Sequence, residues 1–146
     1  MTLSPELALW LNTQGFSADD LNAAIHNRTT PLMLAARTGD YAIVAELIRH
    51  GVDLDATNHD GNNALWLACF NGDPQLIALL IASGIALNNQ NDNGASCLMY
   101  AASAGKTGIV DQLLKAGADT RLTSLDDFTA LDVAGNLECL TMLRRA

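Results

Sequence analysis

Positive charge is scarce in this chain: 8 Lys and Arg stand against 16 Asp and Glu over 146 residues, for a net charge of −8. An acidic surface repels phosphate backbones and anionic headgroups, so nucleic acid and membranes are disfavoured as partners. Aromatic residues are few, at 5%, which leaves the core to Leu, Ile, Val and Ala. Charged residues make up only 16% and hydrophobic ones 49%, a balance that argues against disorder and for one globular domain spanning 1–146. Cysteines are limited to Cys69, Cys97 and Cys139, with no CxxC pair and no histidine at ligand spacing. They read as buried free thiols in a reducing, cytoplasmic setting. The start, Met1 to Glu6, lacks the basic stretch and apolar run of a secretory signal. The longest near-apolar stretch, Leu76 to Leu87, is interrupted by Ser83 and Gly84, whereas a bilayer crossing takes roughly 20 apolar residues. Also missing are HExxH, GxGxxG after a strand, GxxxxGK[ST] and GxSxG, so neither an enzyme nor a cofactor or metal site is expected.

What the chain does contain is a repeat. Leu32, Leu65, Leu98 and Leu131 are 33 residues apart, as are Ala35, Ala68, Ala101 and Ala134. The same shift relates Gly39, Gly72 and Gly105; Leu47, Leu80 and Leu113; and Gly51, Gly84 and Gly117. A fixed period in the range of about 20 to 50 residues marks a solenoid, in which each unit buries its apolar face only against its neighbours.

Each unit can be read locally. Thr30, Asn63, Ser96 and Thr129 are N-cap residues, with Pro31 at N1 behind the first. Large and very small side chains alternate after the cap, as in Leu32-Met33-Leu34-Ala35-Ala36, so that helices of adjacent units approach closely. A glycine then turns the chain back. The second helix carries apolar residues at helical spacing, such as Ile43, Val44, Leu47 and Ile48. About a dozen residues rich in Asp, Asn, Thr and Gly follow, which is turn chemistry and predicts a projecting polar finger. The expected helix pairs lie near 31–50, 64–83, 97–116 and, contracted, 130–145. The fingers lie near 20–30, 53–63, 86–96 and 119–129.

On Thr30-Pro31-Leu32-Met33-Leu34-Ala35-Ala36-Arg37-Thr38-Gly39, Leu47-Ile48-Arg49-His50-Gly51 and Leu113-Leu114-Lys115-Ala116-Gly117-Ala118-Asp119, the chain resembles the ankyrin-repeat family over roughly residues 20 to 146. The resemblance implies an all-α solenoid of helix-turn-helix units with β-hairpin fingers, about four repeats in all. Residues 1–19 are expected to form an N-terminal cap with a helix near 5–12, its Leu7, Leu9, Trp10 and Leu11 covering the bare end of the stack. There are departures. The usual His after Thr-Pro-Leu is replaced by Met33, Trp66, Met99 and Asp132, and Asp127 and Phe128 stand where Gly and a variable polar residue belong.

His59-Asp60 could pair as a base and its orienting carboxylate, but neighbours in a hairpin tend to point apart, and no nucleophile accompanies them. The finger aspartates lack the ligand spacing and distal Glu of a calcium loop. What remains is the surface. The family's concave binding face maps onto His26, Asn27, Arg37 and Thr38 in the first unit, and onto His59, Asp60, Asn62, Phe70 and Asn71 in the second. Asp92, Asn93 and Ser103 follow in the third, then Leu125, Asp126 and Phe128 in the fourth. Phe70 aligns with the polar Arg37 and Ser103, so packing does not require an aromatic there, and an exposed aromatic at the centre of such a face is a hot-spot candidate. Trp66, one turn earlier, either flanks it on the face or is half-buried between units. The expected function is protein binding by an adaptor or regulatory subunit, with a partner that presents basic charge. The alternative is self-association through an apolar end formed by Leu137, Leu140, Met142 and Leu143. A monomer is favoured over it.

Overall fold

A computed structural model describes residues 2–146. Met1, within the expected cap, lies outside the described residues. Helix α1 spans Pro5–Gln14. Three helical hairpins follow: α2 Pro31–Thr38 with α3 Tyr41–Arg49, α4 Ala64–Asn71 with α5 Pro74–Ala82, and α6 Cys97–Ser103 with α7 Thr107–Lys115. A single helix, α8 Leu137–Arg145, follows α7 in the stack. The first helix of each pair starts where its capping side chain accepts the N–H three residues on: Thr30 Oγ1 from Met33 at 3.3 Å, Asn63 Oδ1 from Trp66 at 3.1 Å and Ser96 Oγ from Met99 at 3.2 Å. Gly39 and Gly72, in the left-handed region at φ 78° and 94°, end α2 and α4.

The core runs the length of the stack. Ala35, Ala36, Ala68, Cys69, Ala101 and Ala102 are fully buried between successive first helices, where their small volume permits close approach. Val44 and Leu47, Ile77 and Leu80, and Val110 and Leu113 are fully buried from the second helices. Each such Leu or Ile contributes about 1.5–3 kcal/mol relative to an exposed one. All three cysteines are free and buried. Hydrogen bonding with Cys97, and then burial, push the Cys69 thiol far above its ordinary range, so it stays an inert, packed group.

Leu7 and Leu11 of α1 are fully buried at the N-terminal end of the stack, and Trp10 stacks on Phe16 at 5.6 Å. A polar clasp fixes this cap. Ser4 caps α1 by accepting from Leu7 N–H at 3.0 Å, and both its own N–H, at 2.8 Å, and its hydroxyl donate to the buried carboxylate of Glu46 in α3. His50 Nε2 lies 3.3 Å from the same carboxylate. The Ser4 hydroxyl holds the Glu46 pKa below its ordinary 4.5; burial opposes the shift, and the Ser4 N–H and His50 add to it. A lowered folded-state pKa stabilises the fold above the unfolded value and ceases to do so as pH falls through the folded one. Wild type is therefore expected to exceed Glu46→Gln in urea midpoint at neutral pH, and the gap should close in acid below 4.5. A gap that stays constant from pH 7 to pH 3 would disprove the clasp's dependence on charge.

The last unit corrects the expectation of a helix pair over 130–145. Ten residues separate Thr30 from Asp40, the caps of α2 and α3, but only seven separate Thr129 from Asn136, so one helical turn is missing. In place of a first helix, Thr129 and Asp132 close a reciprocal box, Thr129 N–H to Asp132 Oδ2 at 2.9 Å and Asp132 N–H to Thr129 Oγ1 at 3.3 Å. Gly135 N–H then bonds to Ala102 C=O at 2.8 Å, and α8 starts at once, capped by Asn136 and burying Cys139 and Leu143.

The fingers are hairpin-like in path, each with a backbone bond across its base, Ile25 to Thr29, Asn58 to Asn62, Asn91 to Ala95 and Ser124 to Phe128, from N–H to C=O, and a second bond within the turn. Among the described residues none extends into a strand. Asn58, Asn91 and Ser124 each shape their own turn, the side-chain oxygen accepting from the N–H groups two and four residues on. Ile25 holds the equivalent position without such an oxygen. The first finger accordingly takes another turn, with both Asn27 and Arg28 left-handed at φ 62° and 59°. Tips are joined to one another: His59 N–H bonds to Asn27 C=O, Asp92 to Asp60 and Leu125 to Asn93, at 2.9–3.0 Å. The finger row is a hydrogen-bonded rail.

Candidate functional site

Between the first helices and the fingers lies an aromatic cluster drawn from two units. Trp66 and Phe70, one turn apart on α4, face Tyr100 of α6, with ring centroids 4.5 and 6.2 Å away. Lys106 Nζ sits 5.1 Å from the Tyr100 centroid and 5.7 Å from that of Phe70, while donating to the carbonyls of Cys69 and Phe70 at 2.9 and 2.8 Å. Those carbonyls are at the open C-terminal end of α4, where a cation is favoured. One ammonium thus caps α4 and fixes the ring of Phe70, which nonetheless stays 53% exposed. Trp66 is half-buried against Tyr100 of the next unit, beside the exposed Phe70. Its Nε1 is buried with no hydrogen-bond partner among the described residues.

Trp66 divides two shallow hollows. The first, about 230 Å³, is walled by Asn27, Arg37, His59, Asp60, Trp66 and Phe70. The second, about 270 Å³, has Asn91, Asn93, Tyr100, Ser103 and Ser124 around the other side of the indole. His26, Asp92, Leu125, Asp126 and Phe128 are exposed along the fingers, Leu125 at 75% and Phe128 at 50%. Thr38 and Asn71 are exposed at the helix ends, the Thr38 hydroxyl donating back to Leu34 C=O at 2.9 Å. Asn71 lies over Gly39, where an added Cβ would come within 2.8 Å of its Nδ2.

Asn62 borders the first hollow but is only 6% exposed, and its Oδ1 accepts from Asn91 Nδ2 at 2.9 Å, so it ties the second finger to the third. One expectation is corrected. His59 and Asp60 do not diverge, since His59 Nε2 and Asp60 Oδ1 meet at 3.4 Å, although both side chains remain half exposed or more. The sequence reading also missed Tyr100 and Lys106. Signals for both exist, because Tyr100 stands in register with Leu34 and Leu67, and Lys106 with the capping residues Asp40 and Asp73. A lysine cannot accept the N–H groups that those aspartates take, so its presence there implies a different task.

Elsewhere, an open trough of about 450 Å³ lies between α7 and α8, beside the Lys115–Asp111 pair. Among the described residues no three His, Cys, Asp or Glu side chains are grouped to hold a metal. Nor is any helix of these residues long and apolar enough to cross a membrane. A family model described as ankyrin repeats in three copies matches residues 4–90 and 65–146. No curated protein matches the chain.

Proposed function

The chain belongs to the ankyrin-repeat family, and from that premise we propose that it is a non-enzymatic adaptor or regulatory subunit that holds a partner protein on its concave face. Ankyrin repeats are generic protein-interaction modules. The observation that carries the assignment to this face is Phe70, a half-exposed aromatic held by Tyr100 and Lys106 at the centre of the row. A side chain fixed before contact loses little freedom on binding. Asp60, Asp92 and Asp126 line the fingers beside it and suit a partner with basic charge near its contact. The reading includes a monomer in the cytoplasm. Self-association through the C-terminal end draws less support, because of its four apolar residues only Leu137 is exposed.

Affinity capture from native extract tests the assignment, with wild type beside a folded Phe70→Ala, Asp60→Ala variant. The variant should lose the proteins that wild type retains, Phe70 alone costing about 2 kcal/mol. Retention of the same proteins by both removes the concave face from consideration.

A further inference from the structure

The charges left free on this face are sorted by position. Lys106 is engaged with α4 carbonyls, whereas Asp60, in the wall of the same hollow as Arg37, meets His59 at 3.4 Å and stays exposed to a partner. Among the described residues neither Arg28, at the tip of the first finger, nor Arg37, in the wall of the first hollow, forms an ion pair, and the same holds for Asp92, Asp126 and Asp127 on the third and fourth fingers. At the fingertips and first-helix ends, then, unpaired cations stand in the first unit and unpaired carboxylates in the last two, with Trp66 and Phe70 between; Asp20, Asp53 and Asp55, also outside any ion pair among the described residues, lie at the starts of the first two fingers. The exposed Leu125 and Phe128 place apolar surface beside the anionic tips. Because backbone bonds join finger to finger, the order cannot scramble without breaking the rail.

Resting on the concave-face reading, we propose that the occupant is an extended peptide segment of mixed charge, bound in one orientation. An acidic side chain of the segment meets Arg28 and Arg37, an aromatic or aliphatic anchor lies against Trp66 and Phe70, and a basic residue with an apolar neighbour reaches Asp92, Asp126 and Phe128. A uniformly acidic segment would be repelled at the fourth finger and a uniformly basic one at the first. Packed helices of adjacent units lie about 8–10 Å apart, and an extended chain advances about 3.3 Å per residue, so each unit spans about three residues of the segment. The acidic and basic groups of the partner should then stand about six to nine residues apart.

Selection from a displayed library of random peptides, about a dozen residues long so as to span three units, tests this directly. Peptides selected on wild type should carry acid, apolar anchor and base in one constant order at that spacing. Synthetic copies should bind Arg28→Glu, Arg37→Glu and, separately, Asp92→Lys, Asp126→Lys about tenfold more weakly, and a copy with the acidic residue reversed to Lys should regain affinity for the first variant. All four positions are exposed, so circular dichroism is expected to report the same helical fold. Peptides of a single sign, or affinities unchanged by both charge variants, overturn the proposal. If the peptides require Phe70 but ignore these charges, only the polarity falls. If they bind Phe70→Ala as tightly as wild type, the concave-face reading falls as well.

Discussion

Leu65→Ala is expected to lower the free energy of unfolding by about 2–5 kcal/mol, the range for emptying a fully buried leucine site. Leu65 is 0% exposed in α4, the helix that packs against α2, α5 and α6 together. A cavity there weakens the hairpin of its own unit and the interfaces on both sides. In a stack held by nearest-neighbour contacts, the loss propagates in both directions. Leu143, 5% exposed, belongs to α8, whose principal helix partner is α7. Leu143→Ala should sit at the low end of the same range, with loss confined to fraying of the last helix. Urea titration followed by circular dichroism, with amide exchange to locate the loss, separates the two. Equal costs and equally global loss at both sites would mean that the chain behaves as a single core.

The register of 33 residues made the helix hairpins legible, because every term it repeats is local. A cap at Asn63, small residues at Ala68 and Cys69 and a turn at Gly72 act within one unit, and copying repeats the act. What escaped the register lies between units or where copying fails. Asn62 has the composition of a solvated turn residue, and only the reach of Asn91 from the next finger makes it a buried connector. The cluster of Phe70, Tyr100 and Lys106 joins α4 to α6 and to the start of α7, so no short spacing encodes it. The shortened last unit shows in the sequence as Glu138 in the register of the turn glycines Gly39, Gly72 and Gly105. That three absent residues remove a whole helix follows from geometry, since one turn takes about 3.6 residues and the remainder is too short to hold a hydrogen-bonded ladder.

Asp127 in place of glycine has a physical account, and it leads to the second large effect. Gly94→Ala should cost about 2–3 kcal/mol, combining left-handed strain of about 1–2 with the loss of an inter-finger bond of about 1. Gly94 has φ 75°, and a Cβ on it would stand 2.9 Å from the backbone nitrogen of Leu125, the group that bonds to Asn93 C=O. The obstacle is backbone, so no rotamer change relieves it, and the third and fourth fingers must part. Gly61 is constrained in the same way by the backbone of Asp92. Asp127 holds the equivalent position at φ 64° in the fourth finger, and among the described residues no further finger packs against it. Only the backbone conformation constrains it, and aspartate tolerates the left-handed region better than most side chains. Asp127→Ala is therefore expected to cost about 1 kcal/mol or less, and Asp127→Gly to change stability little, since relief of strain is offset by the freer unfolded chain. Thermal unfolding of the three variants at one pH decides the matter: an Asp127→Ala loss as large as that of Gly94→Ala would show that the finger turn itself, and not the approach of the next finger, demands glycine.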